Sequence, residues 1–311
     1  MIQSHVLLRD GLRKALASKH ARLGAGLVIV GEALIIARFR PLSDFYFPFV
    51  WVGYILFLDG AVLAQRGRSL LGDSRRMFVL LFPVSCAFWW LFELFNQAVH
   101  NWVYEGAAAW TGLWYVGIAS MDFSTVLPAV WITALAVDCL LKSSPRSAHS
   151  SVPRPLLLGV FSAGLLCIAL PVLFPDFAFG LIWGCMFLLL DPVNCLLGRP
   201  SIVQQLWNRD WGVVMRFAPA GLICGFFWES WNFWSMPKWT YSVPHVGFFH
   251  IFEMPVLGYA GYLPFGLELF AMANFVIPFI SPRLLPPIPV LHWGASREAV
   301  THRIPASQQS A

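Results

Sequence analysis

Long apolar stretches alternate along this chain with short polar segments. The stretches lack the strict alternation of apolar and polar positions that marks a half-buried strand. Because roughly 20 mostly apolar residues cross about 30 Å of hydrocarbon as a helix, the pattern predicts helical membrane spans rather than a barrel. We predict eight spans, at residues 22–39, 45–64, 76–98, 112–141, 155–174, 177–197, 212–234 and 256–280.

The basic residues give these spans an orientation. With a cytoplasmic N-terminus, 17 of the 21 Lys and Arg residues lie in the tails or connections on the cytoplasmic side. Only Arg38, Arg40 and Lys238 fall on the other side, and Arg216 lies within the seventh span. Enrichment of Lys and Arg in cytoplasmic connections is the usual rule. The sequence therefore predicts a multi-pass protein of a bacterial-type inner (cytoplasmic) membrane, with both termini cytoplasmic.

Composition narrows the class of protein further. The chain is 58% hydrophobic and only 12% charged, whereas a soluble domain is about a quarter charged. This excludes an ordinary soluble enzyme, and it excludes disorder, which needs low hydrophobicity and high charge. The net charge of +5 comes from the connections between spans, so no nucleic-acid partner is expected.

The two halves of the chain resemble each other. Residues of the first half recur in order in the second, 132 or 136 positions later: Asp44, Phe45, Phe47, Trp51 and Asp59 as Asp176, Phe177, Phe179, Trp183 and Asp191, and Pro83, Glu93, Asn96 and Leu127-Pro128 as Pro219, Glu229, Asn232 and Leu263-Pro264. Four spans per half return the chain to the same side. We therefore predict an all-α polytopic membrane protein of two parallel four-helix repeats, related by a pseudo-two-fold axis along the membrane normal.

The predicted organisation has five parts. A cytoplasmic amphipathic segment, 1–21, precedes the first repeat, 22–141. A cytoplasmic linker, 142–154, leads to the second repeat, 155–281, and a Pro-rich cytoplasmic tail occupies 282–311.

A repeated Glu-x-x-Asn sequence marks the candidate site. Glu93 and Asn96 close the third span, and Glu229 and Asn232 close the seventh; residues three apart share a helix face. Ionisable groups in spans usually face the protein interior or a wet cavity. Two interpretations stay open: the carboxyls are structural hydrogen-bond acceptors, or they face one cavity as acid–base groups.

A polar and aromatic loop follows each Glu-x-x-Asn. Its Trp and Tyr residues are typical of a membrane-interface belt, or of a wall over a pocket. The second half is richer in charged groups, which makes it the better candidate for chemistry. The predicted catalytic residues are Glu93, Glu229, Glu253 and His250, and the predicted substrate-binding residues are Asn96, Asn232, Trp102, Tyr104, Lys238, Trp239, Tyr241, His245 and Glu268.

Asp59 and Asp191 mark a second polar level, near the cytoplasmic end of their spans. Arg66 and Arg68 follow the first aspartate, and Arg199 follows the second. Arginine stems can reach the membrane interface from within a span. We expect aspartate–arginine contacts here, with a cytoplasmic gate or a head-group site as the alternative.

Several functional signatures are missing from the sequence. There is no GxxxxGK[ST] phosphate loop, no HExxH, and no CxxC among the six cysteines. No paired histidines lie within the spans, as a bis-histidine haem would need. We therefore expect no metal and no cofactor.

Three functions remain open. The leading hypothesis is a Trp-rich pocket on the extracytoplasmic side that binds or modifies a lipid, isoprenoid or quinone, with the paired glutamates as acid–base groups. The alternatives are a proton-coupled secondary transporter and a non-catalytic subunit of a larger membrane complex. The expected partners are membrane lipids or a lipid-like molecule, with other membrane proteins or further copies of the chain as candidates.

Overall fold

The computed structural model describes residues 16–107, 111–141 and 150–282. The predicted amphipathic segment, linker and Pro-rich tail therefore lie largely outside the described residues. Helices dominate the described part of the chain. In order they are α1 (Lys19–Ala37), α2 (Tyr46–Arg66), α3 (Leu70–Asp73), α4 (Arg75–Val99), α5 (Gly112–Phe123), α6 (Val126–Leu140), α7 (Arg154–Leu173), α8 (Pro175–Ala178), α9 (Ile182–Leu196), α10 (Ile202–Trp207), α11 (Val214–Trp234) and α12 (Tyr262–Ile280).

Four short strands and three 3₁₀ segments complete the described structure. The strands are β1 (Trp102–Glu105), β2 (Lys238–Tyr241), β3 (His250–Ile251) and β4 (Met254–Pro255). The 3₁₀ segments Leu42–Phe45, Phe179–Leu181 and Val256–Gly261 precede α2, α9 and α12. Each of them continues directly into the helix that follows it.

Seven of the described helical segments are long and apolar enough to cross a membrane. They are Lys19–Ala37, Leu42–Arg66, Arg75–Val99, Gly112–Leu140, Arg154–Leu173, Pro175–Leu196 and Val256–Ile280. The protein is thus a helical, multi-pass membrane protein, as the hydropathy pattern predicts. The remaining predicted span forms α11, which does not meet the same standard of hydropathy. Arg216, Glu229 and Asn232 make this helix more polar.

Glycines allow two helix pairs to pack with their backbones in contact. Gly24 of α1 and Gly53 of α2 lie against each other, since a Cβ on Gly24 would come within 2.5 Å of the Gly53 carbonyl oxygen. Gly266 of α12 lies equally close to α11, where a Cβ would come within 2.0 Å of the Phe217 carbonyl oxygen. Small residues at helix interfaces permit such close approach in membranes.

The core of the protein lies around α6 and α12. Helix α6 packs against α2, α4 and α11, while α12 packs against α9, α11 and α4. Trp131 of α6 stacks on Phe270 of α12 with ring centroids 6.1 Å apart, and Phe217 of α11 lies edge-on to both rings. This packing joins the first half of the chain to the second.

A buried charge cluster closes one end of this core. Asp138 of α6 forms ion pairs with Arg66 of α2 and with Arg216 of α11. Arg216 is almost completely buried and also donates to the Gly212 carbonyl oxygen at 2.7 Å. Because an unpaired buried charge is costly, the Asp138 carboxylate holds α2, α6 and α11 together here. We call this end of the bundle the triad end.

The expected aspartate–arginine contacts of Asp59 and Asp191 are wrong. Asp59 accepts hydrogen bonds from the first two backbone N–H groups of α3, at 2.9 and 3.2 Å. Asp191 accepts those of α10, at 2.8 and 2.7 Å. The first N–H groups of a helix lack partners within it, and they attract a carboxylate. Arg66 instead pairs with Asp138, and Arg199 donates to a backbone carbonyl of α12 at 2.6 Å.

Candidate functional site

Glu93 of α4 is held by three donors at the end opposite the triad. Its Oε1 accepts hydrogen bonds from Trp89 Nε1 and Trp102 Nε1, both at 3.1 Å. The same oxygen accepts the Tyr104 hydroxyl at 2.6 Å. Trp89 lies one turn before Glu93 on α4, whereas Trp102 and Tyr104 come from β1. The side chain of Glu93 therefore fixes the strand against the helix end.

Glu229 of α11 has a related but less complete set of donors. Its Oε1 accepts the hydroxyls of Tyr241 and Tyr262, each at 2.6 Å. Its Oε2 is shielded from solvent and has no hydrogen-bond partner among the described residues. Glu229 thus retains one unpartnered oxygen, and both oxygens are fully buried with the residue.

The loop tyrosines that donate to these carboxyls stay protonated. Burial raises the pKa of Tyr104 well above its usual range, and the negative charge of Glu93 adds to this effect. Burial raises the pKa of Tyr241 in the same way, with the charge of Glu229 adding to it. Each hydroxyl therefore keeps the proton that it donates to its glutamate.

The two asparagines fix the start of the Trp-x-Tyr segments in the loops. Asn96 donates from Nδ2 to the Trp102 carbonyl oxygen at 2.8 Å, and its Oδ1 accepts the Trp102 N–H at 3.3 Å. Asn232 donates to the Trp239 carbonyl oxygen and accepts the Trp239 N–H, both at 2.8 Å. Each side-chain amide therefore satisfies both polar groups of one tryptophan backbone.

Strands β1 and β2 pair with each other although they come from different halves. The pairing is antiparallel, with Trp102 opposite Tyr241 and Tyr104 opposite Trp239. Alternate residues of a strand point to the same side, so these four rings lie on one face of the two-stranded sheet. Trp239 Nε1 donates to the Tyr241 hydroxyl at 2.7 Å, which orders the rings further.

A cavity of about 480 Å³ lies against this ring-bearing face. Five tryptophans line it: Trp89, Trp102, Trp183, Trp228 and Trp239. The tyrosines Tyr46, Tyr104, Tyr115, Tyr241 and Tyr262 line it as well. Glu93 and Glu229 do not line the cavity; each lies behind the rings that it accepts from. We call this part of the protein the cavity end.

Phe265 connects the rings of the two halves at the cavity. Trp89 and Phe92 of α4 lie edge-on to it, with centroids 6.0 and 5.8 Å away. Trp183 of α9 and Trp228 of α11 approach it from the other half, at 5.7 and 6.0 Å. The wall is therefore one continuous aromatic cluster, in which each ring limits the position of its neighbours.

The predicted site residues thus separate into groups. Trp102, Tyr104, Lys238, Trp239 and Tyr241 line the cavity, with Glu93, Asn96, Glu229 and Asn232 directly behind the wall. Glu253 forms an ion pair with Lys238.

Three predicted residues lie apart from this group. His245 stacks on Phe177 with ring centroids 4.9 Å apart, and His250 lies exposed in β3. Glu268 is buried between α12 and α9, where it accepts the Met186 N–H at 2.6 Å.

Sequence reasoning missed Trp89, Tyr262 and Asp122 as parts of the site. Trp89 could have been found, since it precedes Glu93 by four positions and such residues are neighbours on a helix. Asp122 is a carboxyl within an apolar span, which is itself a signal. Tyr262 is 33 positions from Glu229, and only the folded arrangement of α11 and α12 brings its hydroxyl to that carboxyl.

Comparison with known proteins does not assign the chain to a family. No family model, no curated protein and no solved structure matches it. Within residues 16–107, 111–141 and 150–282, no three metal-ligating side chains come together. The functional argument therefore depends on the geometry of the cavity and on the residues around it.

Proposed function

We propose that the protein binds an apolar or amphipathic small molecule, such as a lipid, an isoprenoid or a quinone, in the aromatic cavity. The observation that carries this proposal is the cavity itself, with about 480 Å³ of space and an almost entirely apolar wall. Small-molecule sites typically enclose roughly 300–1,000 Å³ and are lined by apolar and aromatic groups with a few polar ones. A membrane-embedded cavity of this kind is suited to molecules that partition into lipid.

The glutamates, in this proposal, hold the wall of the cavity in place. One carboxylate oxygen of Glu93 accepts three hydrogen bonds. The side chain therefore positions Trp89, Trp102 and Tyr104. If the bound molecule is also modified, we propose that Glu229 acts as the acid–base group through the hydroxyls of Tyr241 and Tyr262, which line the cavity and donate to its Oε1, while its Oε2 has no partner in the described chain. Burial without a full set of donors is the usual setting of a carboxyl that transfers a proton.

A cavity-filling variant tests the binding proposal. Ala119 lines the cavity and is 5% exposed, so Ala119→Trp would occupy its volume. We expect the wild-type protein, purified from membranes and analysed by native mass spectrometry, to retain an apolar molecule that Ala119→Trp loses. Ala33→Trp on the exposed face of α1 is the matched control and should retain it. Equal retention by all three folded proteins would refute the proposal.

We further propose that α11 is an eighth span and that the triad end is cytoplasmic. Helix α11 has 21 residues, which is about 31 Å at the helical rise. It packs against α6 and α12, and its polar side chains are paired, with Arg216 on Asp138 and Glu229 on tyrosines. Nine basic residues of the described chain precede or follow spans at the triad end, which supports this orientation.

Matching contacts support the proposal of two repeats, 22–141 and 155–281. The carboxyl of Asp59 accepts the first N–H group of α3, eleven positions later in the chain. The carboxyl of Asp191 accepts the first N–H group of α10, also eleven positions later. Asn96 and Asn232 each hold the backbone of the tryptophan in a Trp-x-Tyr segment. The tyrosine of each segment donates to the preceding glutamate. Such paired contacts are expected of halves with the same topology.

The packing between the cavity and the triad favours binding over proton-coupled transport. A transporter of this kind needs a polar path between the two ends. Trp131, Phe217 and Phe270 instead fill this region with contacting rings, and all three are fully buried.

A further inference from the structure

Some of the charged side chains that line the cavity have a partner of opposite charge in the described chain, and one does not. Asp44 lines the cavity and accepts from Arg40 Nε at 2.9 Å. Lys238 also lines it, and its ammonium group pairs with Glu253. These two groups therefore have opposite charges beside them in the protein itself.

Asp122 is the exception among the charged residues that line the cavity. It lies near the end of α5, on the face that also presents Tyr115, Ala119 and Phe123 to the cavity. Its Oδ1 is shielded from solvent and has no hydrogen-bond partner, and no described Lys, Arg or His forms an ion pair with this carboxyl. A carboxyl within a span is costly and is normally paired. A partner from outside the chain would satisfy it.

The surroundings of Asp122 suit a positively charged partner. Tyr46, Tyr115 and Phe123 line the same cavity, and the faces of aromatic rings attract cations. Ala119, three positions before Asp122 on the same helix face, contributes only a methyl group and leaves space beside the carboxyl.

We propose that the cavity takes an amphiphile with an alkylammonium head group, which pairs with Asp122 while its hydrocarbon chain lies against the tryptophan wall. This inference rests on the proposed function, since it names the class of molecule that the same cavity binds. A neutral head group would leave the Asp122 carboxyl without a counter-charge, and an anionic one would be repelled by it. The head group, rather than the chain, therefore determines which amphiphile binds.

Binding of three amphiphiles with equal chains tests the inference. The full-length protein is placed in nanodiscs of a galactolipid, which has no ammonium group, and partition into empty nanodiscs is subtracted. Radiolabelled dodecylammonium, whose head group carries three N–H donors, is displaced by unlabelled dodecylammonium, dodecanol or dodecanoate. We expect the ammonium compound to bind about tenfold more tightly than the other two, the usual value of a charge-assisted contact. Asp122→Asn should weaken its binding about tenfold and weaken dodecanol binding less, so that the preference for the ammonium head group is lost.

Matched variants separate the possible outcomes. Asp176→Asn makes the same chemical change at an exposed position outside the cavity and should have no effect. Asp122→Glu keeps the charge and should keep the preference for the ammonium head group. If Asp122→Asn does not fold, loss of this preference in Asp122→Glu would overturn the inference. Equal affinities for the three head groups, or an unchanged Asp122→Asn, would overturn the inference but not the proposed function. If none of the three binds saturably to the wild-type protein, the proposed function fails as well.

Discussion

The glutamates of the cavity end differ in how completely their donors satisfy them. Oε1 of Glu93 accepts three hydrogen bonds, whereas Oε1 of Glu229 accepts two and its second oxygen has none among the described residues. A buried acceptor that loses a donor is penalised more than the average hydrogen bond would suggest. Each of the two tyrosines that donate to Glu229 therefore contributes more to stability than the one tyrosine that donates to Glu93.

Tyr241→Phe should accordingly destabilise the protein more than Tyr104→Phe. We expect a loss of about 1–3 kcal/mol for Tyr241→Phe, because Glu229 and Trp239 Nε1 each lose a partner. Unfolding of the protein in nanodiscs, followed by near-ultraviolet circular dichroism, measures the difference. Tyr259→Phe removes a hydroxyl from an exposed carbonyl contact and should change stability by less than about 0.5 kcal/mol. Equal losses for Tyr241→Phe and Tyr104→Phe would contradict this ranking.

The Glu-x-x-Asn sequence predicted buried polar side chains at the correct positions, but not what they contact. Asn96 and Asn232 bind backbone groups in loops that the hydropathy pattern leaves undefined. Strands β1 and β2 are four residues long and lie 136 positions apart, so neither signals its partner locally. Hydrogen bonds formed across the fold cannot be inferred from spacing along one helix.

Span boundaries were easier to predict, because the thickness of a bilayer fixes the length of each apolar run. The prediction of 256–280 coincides with the segment Val256–Ile280, and 76–98 lies within Arg75–Val99. The single predicted span 112–141 is instead two helices, α5 and α6, that meet at Ser124 and Thr125. The hydropathy pattern does not show this break between the two helices, because apolar residues continue on both sides of it.

The close approach of α11 and α12 should fail when a methyl group is added between them. Gly266→Ala would place a Cβ about 2.0 Å from the Phe217 carbonyl oxygen, and backbone atoms must then move apart. We expect a loss of about 1–3 kcal/mol in stability, the usual cost of overpacking. Thermal unfolding in nanodiscs measures it.

Gly159→Ala on α7 is the matched control for this substitution. Nothing lies within 4 Å of the Cβ that it would add, so the expected change stays below about 1 kcal/mol. An equal loss of stability in the two variants would mean that contact between α11 and α12 does not determine the result, since the higher helix propensity of alanine acts in the stabilising direction at both positions.

The proposed orientation of the protein depends on where its charged connections lie and on whether α11 crosses the bilayer. If α11 crosses the bilayer, Trp207 and Ser242 lie on opposite sides of the membrane, with Ser242 outside. We expect Ser242→Cys to react with a membrane-impermeant maleimide in intact bacterial cells, and Trp207→Cys to react only after permeabilisation. Both positions are exposed, and labelling is measured as the increase over wild type. Reaction of both in intact cells would place α11 outside the hydrocarbon core.

The pairing of β1 with β2 has a consequence for a polypeptide that contained only residues 1–141. Such a fragment would carry β1 without its partner, and a bare strand edge readily recruits another chain. The β1 strands of two copies of the fragment could pair with each other in the same antiparallel register, because a two-fold rotation maps this register onto itself. If the two proposed repeats arose by duplication, the present chain corresponds to a covalently fused homodimer, in which each half is free to carry different side chains around the shared cavity.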